Sequence, residues 1–360
     1  MKIGILTFHW STNYGAILQS YALQVVLEKR GGHVNIINYK PIRFDKSVSK
    51  CFFSKRPWQI KKNIIDYYKE KSLVPFREKN LKTTDRYESL EELRVNPPDY
   101  DIYICGSDQV WNPSFTMNGE LRPTTSYFLD FGSENITRIA YAVSFGCLSY
   151  SKKIKNIVRP LLSKFDMISV RENSGTEIVV GMGYDNVSIM PDPTLLLSAI
   201  DYDNLLDDRV FLGCACFIYI IHDGQRLARK IGHLFRDIIK EKVVCTKSIK
   251  YSMIGIEEWL LYIKKSTCVV TNSFHGVVFS IIYKKNFIAI PVEGSGSEMN
   301  DRLYTLLNQL SLINRLVDKY DEDSIKELFL KPIDWVEVSK KIKIMQMDAD
   351  LFFNEAIGIS

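Results

Sequence analysis

The chain has 360 residues, of which 46% are hydrophobic and 25% are charged. These fractions exclude a disordered or fibrous chain, and the length favours two domains over one. The net charge of +5 and the isoelectric point near 8.6 suit an anionic small substrate or an anionic membrane surface, and they fall short of the strongly basic values that are typical of nucleic-acid-binding proteins.

Cysteine content and hydropathy indicate the cellular compartment in which the protein is expected. There are seven cysteines, an odd number, and no Cys-x-x-Cys pair occurs among them. Thiols of this kind are typical of a reducing compartment. No signal-length apolar stretch follows the first residues, and no run approaches the length of a membrane span. We therefore expect a cytoplasmic protein.

The chain opens with the pattern of a βαβ unit. Lys2–Phe8 and His33–Tyr39 are short apolar runs that predict strands, and Ala16–Lys29 predicts an amphipathic helix between them. The polar loop from His9 to Gly15 joins the first strand to this helix. It has one glycine where a dinucleotide-binding turn would need three, so it does not predict a dinucleotide site.

Three further strands are predicted at Tyr100–Cys105, Ile139–Ser144 and Met167–Val170, and each ends in polar or glycine residues. In an open parallel sheet, ligands bind beyond the carboxyl ends of the strands. Arg171 follows the third strand, where its planar guanidinium could bind a carboxylate or phosphate. The alternative is an ion pair with Glu172 or another surface carboxylate.

The segment over about 47–75 is an insertion rich in basic and aromatic residues. It could lie against anionic lipid headgroups, or its charges could be a solvated face while its aromatic rings pack on the domain. The turn Met190–Thr194 breaks any regular element and is the best candidate for a linker. We therefore predict domains at 1–190 and 191–333, with a C-terminal helix in 334–360 that could pack back on the first domain.

The second half again alternates strands and helices, beginning with a strand over Val210–Ile221 and a helix over Gln225–Ile239, which predicts a second doubly wound layer. Within it, the strand Cys268–Thr271 and the apolar helix Gly276–Tyr283 flank a junction that places His275 at a helix N-terminus. The N–H groups there attract anions, and an imidazole beside a bound anion can move a proton. The alternative is a capped turn in which His275 only bonds backbone. Arg302 lies in the first turn of a later helix, where the helix dipole does not favour a cation unless an anion is near.

Six motifs together resemble one known family, the polysaccharide pyruvyl transferases, over Ile3 to about Leu310. The motifs are Asn13-Tyr14-Gly15-Ala16-Ile17-Leu18-Gln19 with Tyr21-Ala22-Leu23, Cys105-Gly106-Ser107-Asp108-Gln109-Val110-Trp111-Asn112, Ala142-Val143-Ser144-Phe145-Gly146, Ser169-Val170-Arg171-Glu172, Pro191-Asp192-Pro193-Thr194 and Thr271-Asn272-Ser273-Phe274-His275-Gly276.

The resemblance implies an α/β protein with two Rossmann-like domains facing each other across a cleft, as in GT-B-like enzymes. It also implies transfer of the enolpyruvyl unit of phosphoenolpyruvate to sugar hydroxyls of a glycan precursor, giving a pyruvate ketal and free phosphate. Phosphoenolpyruvate would be a co-substrate, and no cofactor is expected. Many members of the family carry a leucine and an arginine next to the site histidine, where this chain has Phe274 and Ser273.

The resemblance and the residue chemistry together assign candidate site residues. The catalytic candidates are His275, Arg171 and Asp108. The donor-binding candidates are Arg171, Ser273, Phe274, His275, Gly276 and Arg302, and the acceptor-binding candidates are Asn13, Tyr14, Ser107, Asp108 and Gln109. No pattern predicts a metal site. The expected partners are phosphoenolpyruvate and a glycan, which could be lipid-linked and met at the inner face of a membrane; nucleic acid is not expected.

Two other functions remain open from the sequence. One is a GT-B glycosyltransferase with a nucleotide-sugar donor, for which Glu293 or Glu298 could hold the donor ribose. The other is a non-catalytic glycan-binding protein that kept the fold and lost the chemistry, because fold alone does not determine function.

Overall fold

The computed structural model of this chain describes residues 1–45, 57–116, 124–206, 214–221, 225–239, 243–246 and 253–358. Part of the predicted basic aromatic insertion, residues 47–56, lies outside the described residues. The strand predicted over Val210–Ile221 is described only from residue 214 onward.

The chain divides into two compact units. Unit 1 comprises Met1–Asp45, Arg77–Leu197 and Lys343–Ser360, and unit 2 comprises Lys46–Phe76 and Ser198–Ile342. The division therefore differs from the predicted domains. The described part of the insertion belongs with unit 2, the boundary falls after Leu197, and the end of the chain returns to unit 1.

Unit 1 contains a seven-stranded, all-parallel sheet with the strand order β3-β2-β1-β4-β5-β6-β7. The strands are β1 (Lys2–Leu6), β2 (His33–Tyr39), β3 (Thr83–Tyr87), β4 (Ile102–Cys105), β5 (Thr137–Val143), β6 (Met167–Val170) and β7 (Val187–Ile189). β4 is buried along its whole length, and β1, β5 and β6 nearly so, as expected of a parallel sheet with both faces covered.

The helices of unit 1 connect these strands. They are α1 (Tyr14–Lys29), the end of α2 (Pro57–Asn80), α3 (Leu90–Val95), α4 (Pro113–Thr116), α5 (Lys152–Leu162) and α6 (Asn173–Val180). α1 begins where the Asn13 side chain accepts a hydrogen bond from the Gly15 N–H, and it ends before Gly31, whose φ of 82° suits glycine. A further short 3-10 turn, Pro193–Leu196, packs against α1.

Unit 2 contains a four-stranded parallel sheet with the order β11-β10-β8-β9. Its strands are β8 (Cys216–Tyr219), β9 (Val243–Cys245), β10 (Cys268–Thr271) and β11 (Asn286–Ala289). Its helices are the first part of α2, α7 (Ala199–Asp203), α8 (Gln225–Ile239), α9 (Ile256–Lys265), α10 (Phe274–Ile282), α11 (Asp301–Gln309) and α12 (Glu322–Leu330), and a 3-10 turn spans Gly294–Asn300.

The last helix, α13 (Trp335–Ile357), begins in unit 2, and its C-terminal part packs on unit 1. The Phe353 ring stacks on the buried Tyr141 ring with centroids 4.5 Å apart, and Gln346 Nε2 donates to the Leu195 carbonyl over 2.7 Å. Arg30, the residue that follows α1, also pairs with Asp350.

Strand order fixes where ligand sites can form. In unit 1, β2 and β3 lie on one side of the adjacent strands β1 and β4, and β5, β6 and β7 lie on the other side. In unit 2, β9 and β11 likewise lie on opposite sides of the adjacent strands β8 and β10. The carboxyl ends of such strands border the crevice of an open α/β sheet. The predicted α/β class with two Rossmann-like units is confirmed, and the face-to-face arrangement across a cleft stays a prediction.

Candidate functional site

Arg171 directly follows β6 at the carboxyl edge of the unit 1 sheet, and it is only 4% exposed. Its Nη1 lies 2.5 Å from Asp192 Oδ2, and its Nη2 lies 3.8 Å from Asp108 Oδ1. The structure therefore places the guanidinium between two carboxylates. Glu172, the ion-pair partner considered from the sequence, makes its hydrogen bonds elsewhere.

Asp192 follows β7, the neighbour of β6, and its side chain is fully buried. Its Oδ1 accepts hydrogen bonds from the Thr194 N–H over 3.0 Å and from Thr194 Oγ1 over 2.6 Å. Ser107 Oγ lies 3.1 Å from its other oxygen. A buried carboxylate needs such partners, because desolvation without them is costly. Asp192 is thus held firmly in place beside Arg171.

Asp108 stands three residues beyond the end of β4 and adopts a φ of 76°, in the left-handed region. Its carbonyl accepts from the Ser144 N–H over 2.9 Å, and its Oδ1 accepts from the Gln109 N–H over 2.8 Å. Strained backbone of this kind is common at functional sites, where the surrounding structure over-determines it. Here the bridge to the residue after β5 holds the Asp108 carboxylate at the edge of the sheet.

Glu172 organises the turn that follows β5. Its Oε1 accepts from Ser144 Oγ over 2.9 Å, from the Phe145 N–H over 2.6 Å and from the Gly146 N–H over 3.2 Å. Burial raises the pKa of Glu172, while the Arg171 charge and these hydrogen bonds act in the opposite direction. Gly146 has a φ of 57°, and a Cβ there would lie 2.1 Å from Gln109 Oε1, so only glycine fits.

The loop after β1 provides the remaining residues predicted in unit 1. Asn13 caps α1, and its Oδ1 accepts from the Gly15 N–H over 2.9 Å, while Tyr14 is 1% exposed. His9 in the same loop is buried between the Thr7 carbonyl and Asn38. Desolvation lowers the pKa of His9 to about 4, which keeps its imidazole neutral at physiological pH.

In unit 2, His275 lies in the first turn of α10, beyond the carboxyl end of β10. Ser273 is the N-cap, and its Oγ accepts from the Gly276 N–H over 3.3 Å. The Ser273 N–H in turn donates to Thr271 Oγ1 over 3.0 Å. A Cβ on Gly276 would lie 2.4 Å from Thr271 Oγ1, so glycine allows α10 to begin this close to the strand.

An aromatic ring contacts His275, and a cation lies on that same ring. The Phe274 and His275 rings meet edge to face, with centroids 5.2 Å apart and planes at 89°. The Arg302 guanidinium lies 5.8 Å from the centroid of the Phe274 ring, within reach of a cation–π interaction. Burial raises the pKa of Tyr219 at the end of β8, and the Ser273 hydroxyl partly offsets this.

The structure brings most of the predicted residues together in two groups. Asp108, Arg171, Ser107 and Gln109 meet at the carboxyl edge of the unit 1 sheet. Asn13 and Tyr14 lie at the start of α1 in the same unit. Ser273, Phe274, His275, Gly276 and Arg302 meet in unit 2.

The sequence assigned no site role to Asp192 or Glu172, which support the first group. The sequence places Asp192 in the turn Met190–Thr194, which predicts a linker. The signal that could have identified it is its position three residues beyond the end of a short strand, β7, for which the sequence makes no prediction.

No helix in the described ranges is both long enough and apolar enough to cross a membrane. Among the same residues, no group of three or more histidine, cysteine, aspartate or glutamate side chains is placed to hold a metal ion.

Several solved structures are similar to the chain over most of its length. The S. aureus MnaA–UDP structure has a TM-score of 0.48 and 11% identity, and the match covers 100% of this chain and 97% of that one. The glycotransferase of kitacinnamycin matches with a TM-score of 0.47 and 9% identity, covering 99% and 98%. The UDP-GlcNAc 2-epimerase of Methanocaldococcus jannaschii matches with a TM-score of 0.46 and 10% identity, covering 93% of each chain. Similarity at this level says nothing about the reaction of this chain.

Comparison of the sequence with known families gives a more specific result than comparison of folds. No curated protein matches the chain. The profile of one family, described as polysaccharide pyruvyl transferase, matches residues 13–294 and so spans the first group of candidate residues and all of the second except Arg302. The resemblance predicted from the six motifs is thereby confirmed. This chain belongs to the polysaccharide pyruvyl transferase family, which is a family of transferases.

Proposed function

We propose that this protein transfers the enolpyruvyl group of phosphoenolpyruvate to hydroxyls of a polysaccharide or its precursor, forming a pyruvate ketal and releasing phosphate. The observation that carries the proposal is the family match over residues 13–294, because it includes Asp108, Arg171 and His275 together. The proposal is supported by the position of each of these residues beyond a parallel strand.

The chemistry requires one acid and one base. A proton adds to the methylene carbon of the donor, which leaves a cationic centre at the neighbouring carbon. A sugar hydroxyl attacks that centre and loses its proton. A second hydroxyl then displaces phosphate, which leaves with the second hydroxyl proton, and the ketal ring closes. General acids and bases contribute about a hundred- to ten-thousandfold each to such steps.

Unit 2 suits the donor in this proposal. Phosphoenolpyruvate carries a carboxylate and a phosphate, and the N–H groups at the start of α10 attract anions. His275 lies in that first helical turn, and Arg302 lies on the neighbouring Phe274 ring. We assign to His275 the proton that goes to the enol carbon or to the departing phosphate.

Unit 1 suits the acceptor. The Asp108 carboxylate could take the hydroxyl proton, and Gln109 and Asn13 offer polar groups of the kind that bind sugars. In the arrangement that the resemblance predicts, both groups of residues serve one reaction. The contacts of Arg171 allow two roles, a ligand of the donor or a partner of Asp108.

A lipid-linked acceptor, a cytoplasmic location and contact with anionic membranes remain predictions from the sequence. Sedimentation with anionic and neutral vesicles at low salt tests the membrane contact, because electrostatic binding should depend on lipid charge and weaken with salt.

The direct test of the proposed function is to incubate the protein with phosphoenolpyruvate and a panel of saccharides. We expect phosphate release that depends on the acceptor, together with a product that carries a pyruvate ketal. His275→Ala should lower both by about a hundredfold or more, while replacement of the exposed His33 should not. Transfer from a nucleotide sugar instead would indicate a glycosyltransferase, and saccharide binding with neither donor consumed would indicate a glycan-binding protein.

A further inference from the structure

We propose that Arg171 and Asp192 form a buried positioning pair for Asp108, the base of the acceptor hydroxyl, and that Arg171 does not bind the anionic donor. The inference deepens the proposed function and rests on it. It changes the role expected of Arg171 from the sequence and adds Asp192 to the residues on which turnover depends.

The first step of the argument is that Asp192 already neutralises Arg171. The two side chains are 2% and 0% exposed, and their closest atoms are 2.5 Å apart. Thr194 and Ser107 hold the same carboxylate. A buried cation and a buried carboxylate at this distance stabilise one another, and separating them to admit another anion would leave Asp192 buried without its counter-charge.

The second step concerns the charge around the guanidinium. Asp108 Oδ1 lies 3.8 Å from Arg171 Nη2, so one cation faces two carboxylates. An incoming donor with a carboxylate and a phosphate would meet excess negative charge there. Sugar hydroxyls carry no charge and can donate to a carboxylate. This surrounding therefore favours an uncharged polyhydroxyl ligand over an anionic one.

The third step is exposure. The Asp108 side chain is 12% exposed, whereas those of Arg171 and Asp192 are 2% and 0% exposed. Asp108 is thus the member of the three that a ligand can reach. Arg171 and the Gln109 N–H both contact its Oδ1, which leaves Oδ2 to take the proton of the hydroxyl. As that proton moves to Oδ2, the hydroxyl oxygen forms its bond to the cationic carbon of the protonated donor.

Unit 2 offers the contrasting case. Arg302 is 7% exposed and lies on the ring of Phe274, which is neutral. In the proposed function Arg302 stands on the donor side, whereas Arg171 lies between two carboxylates. Donor affinity should therefore depend on Arg302 more than on Arg171.

The experiment separates donor binding from turnover. Phosphoenolpyruvate is titrated by calorimetry, without acceptor, into wild type, Arg171→Lys, Asp192→Asn and Arg302→Gln, and kcat is measured at saturating donor. The matched control is Arg138→Lys, which changes another buried arginine of the same sheet whose guanidinium bonds only backbone carbonyls among its described contacts. Thermal unfolding identifies variants that do not fold.

We expect Arg171→Lys and Asp192→Asn to bind the donor with a Kd within about threefold of the wild-type Kd. Their kcat should fall by about a hundredfold, which is the effect expected when a general base is misplaced. Loss of donor affinity of more than about tenfold in Arg171→Lys would overturn the inference, and so would unchanged kcat. If Arg171→Lys does not fold, Thr194→Val provides the same comparison. This substitution removes the Thr194 hydroxyl that donates to Asp192, and it changes no charge.

Failure of the proposed function would look different. In that case wild type itself would neither bind phosphoenolpyruvate nor release phosphate from it. If wild type instead used a nucleotide diphosphate sugar, the same comparison would be made with that anion. Retained affinity with lost turnover in Arg171→Lys would still support the inference, and lost affinity would still overturn it.

Discussion

The carboxyl edges of the two sheets have the same backbone architecture, but their charged side chains differ: carboxylates outnumber the arginine in unit 1, and an arginine lies near the candidate histidine in unit 2. In unit 1 the residues after β4, β6 and β7 bring a single arginine between two carboxylates. In unit 2 the residues after β10 open a helix, with His275 in its first turn and Arg302 over the Phe274 ring. Parallel strands determine where a site can form, and the side chains that follow them determine which charge it attracts.

This comparison has a practical lesson. An arginine at a strand terminus is commonly interpreted as an anion site, as Arg171 was from the sequence. Its function depends on the counter-charges that surround it, and these come from strands that are distant along the chain. The predictions below test each edge separately, and they run from the largest expected effect to the smallest.

The largest effect should come from unit 2. His275→Ala should lower kcat by about a hundred- to ten-thousandfold, because it removes the group that we propose as general acid. The measurement is acceptor-dependent phosphate release at saturating phosphoenolpyruvate. A folded His275→Ala protein with near-normal turnover would show that the carboxyl edge of the unit 2 sheet does not supply the general acid.

The second prediction concerns the buried pair of unit 1. Asp192→Asn should destabilise the protein by about 3 kcal/mol, because it leaves the buried Arg171 cation without its closest counter-charge. Urea unfolding measures this change. The exposed pair of Lys326 with Glu322 is the control, and Glu322→Gln should leave the midpoint unchanged. Equal midpoints for Asp192→Asn and wild type would show that Asp192 does not hold Arg171.

The third prediction concerns the start of α10. Gly276→Ala should cost about 1–3 kcal/mol, because the new methyl group would overlap Thr271 Oγ1. Urea unfolding again provides the measurement. The same substitution in a Thr271→Ala background should cost much less, since the overlapping atoms are gone. Equal costs in both backgrounds would mean that the close approach of helix and strand is not what requires glycine.

The smallest effect at neutral pH should come from His9, because its contribution develops only as the pH falls. Its pKa is lowered from 6.5 to about 4 by burial, so the unfolded chain binds a proton more readily than the folded one. Stability is therefore complete above the unfolded pKa and falls as the pH drops towards 4. We expect His9 to account for a loss of about 2 kcal/mol between pH 7 and pH 5.

This loss is measured as the difference in unfolding free energy between wild type and His9→Gln at the two pH values. The exposed His33 is the matched control, and its replacement by glutamine should leave the pH dependence as in wild type. A pH dependence that is the same in His9→Gln as in wild type would contradict the prediction.

Much of the fold could be predicted from the sequence. The strands His33–Tyr39, Met167–Val170 and Cys268–Thr271 have the predicted bounds, because β-branched apolar runs between turn residues are a local signal. The predicted bounds of α8 are also those observed. Other boundaries differ by a few residues, as in β1, which ends at Leu6 rather than Phe8.

The elements that were missed have no such local signal. Strand β3 (Thr83–Tyr87) is polar because it lies at the edge of its sheet, and β7 (Val187–Ile189) has only three residues at the opposite edge. Both form through pairing with a neighbouring strand. The role of Asp192 depends on β7, so its contact with Arg171 could not be predicted from spacing along the chain.

The positive φ of Asp108 has a consequence for how this position should be mutated. Aspartate, asparagine and glycine tolerate the left-handed region better than other residues, because their side chains are short and polar or absent. Alanine at 108 would change both the backbone conformation and the charge, so its phenotype would combine two causes. Asparagine keeps the conformation and removes only the basic oxygen, which makes Asp108→Asn the substitution that isolates chemistry from shape.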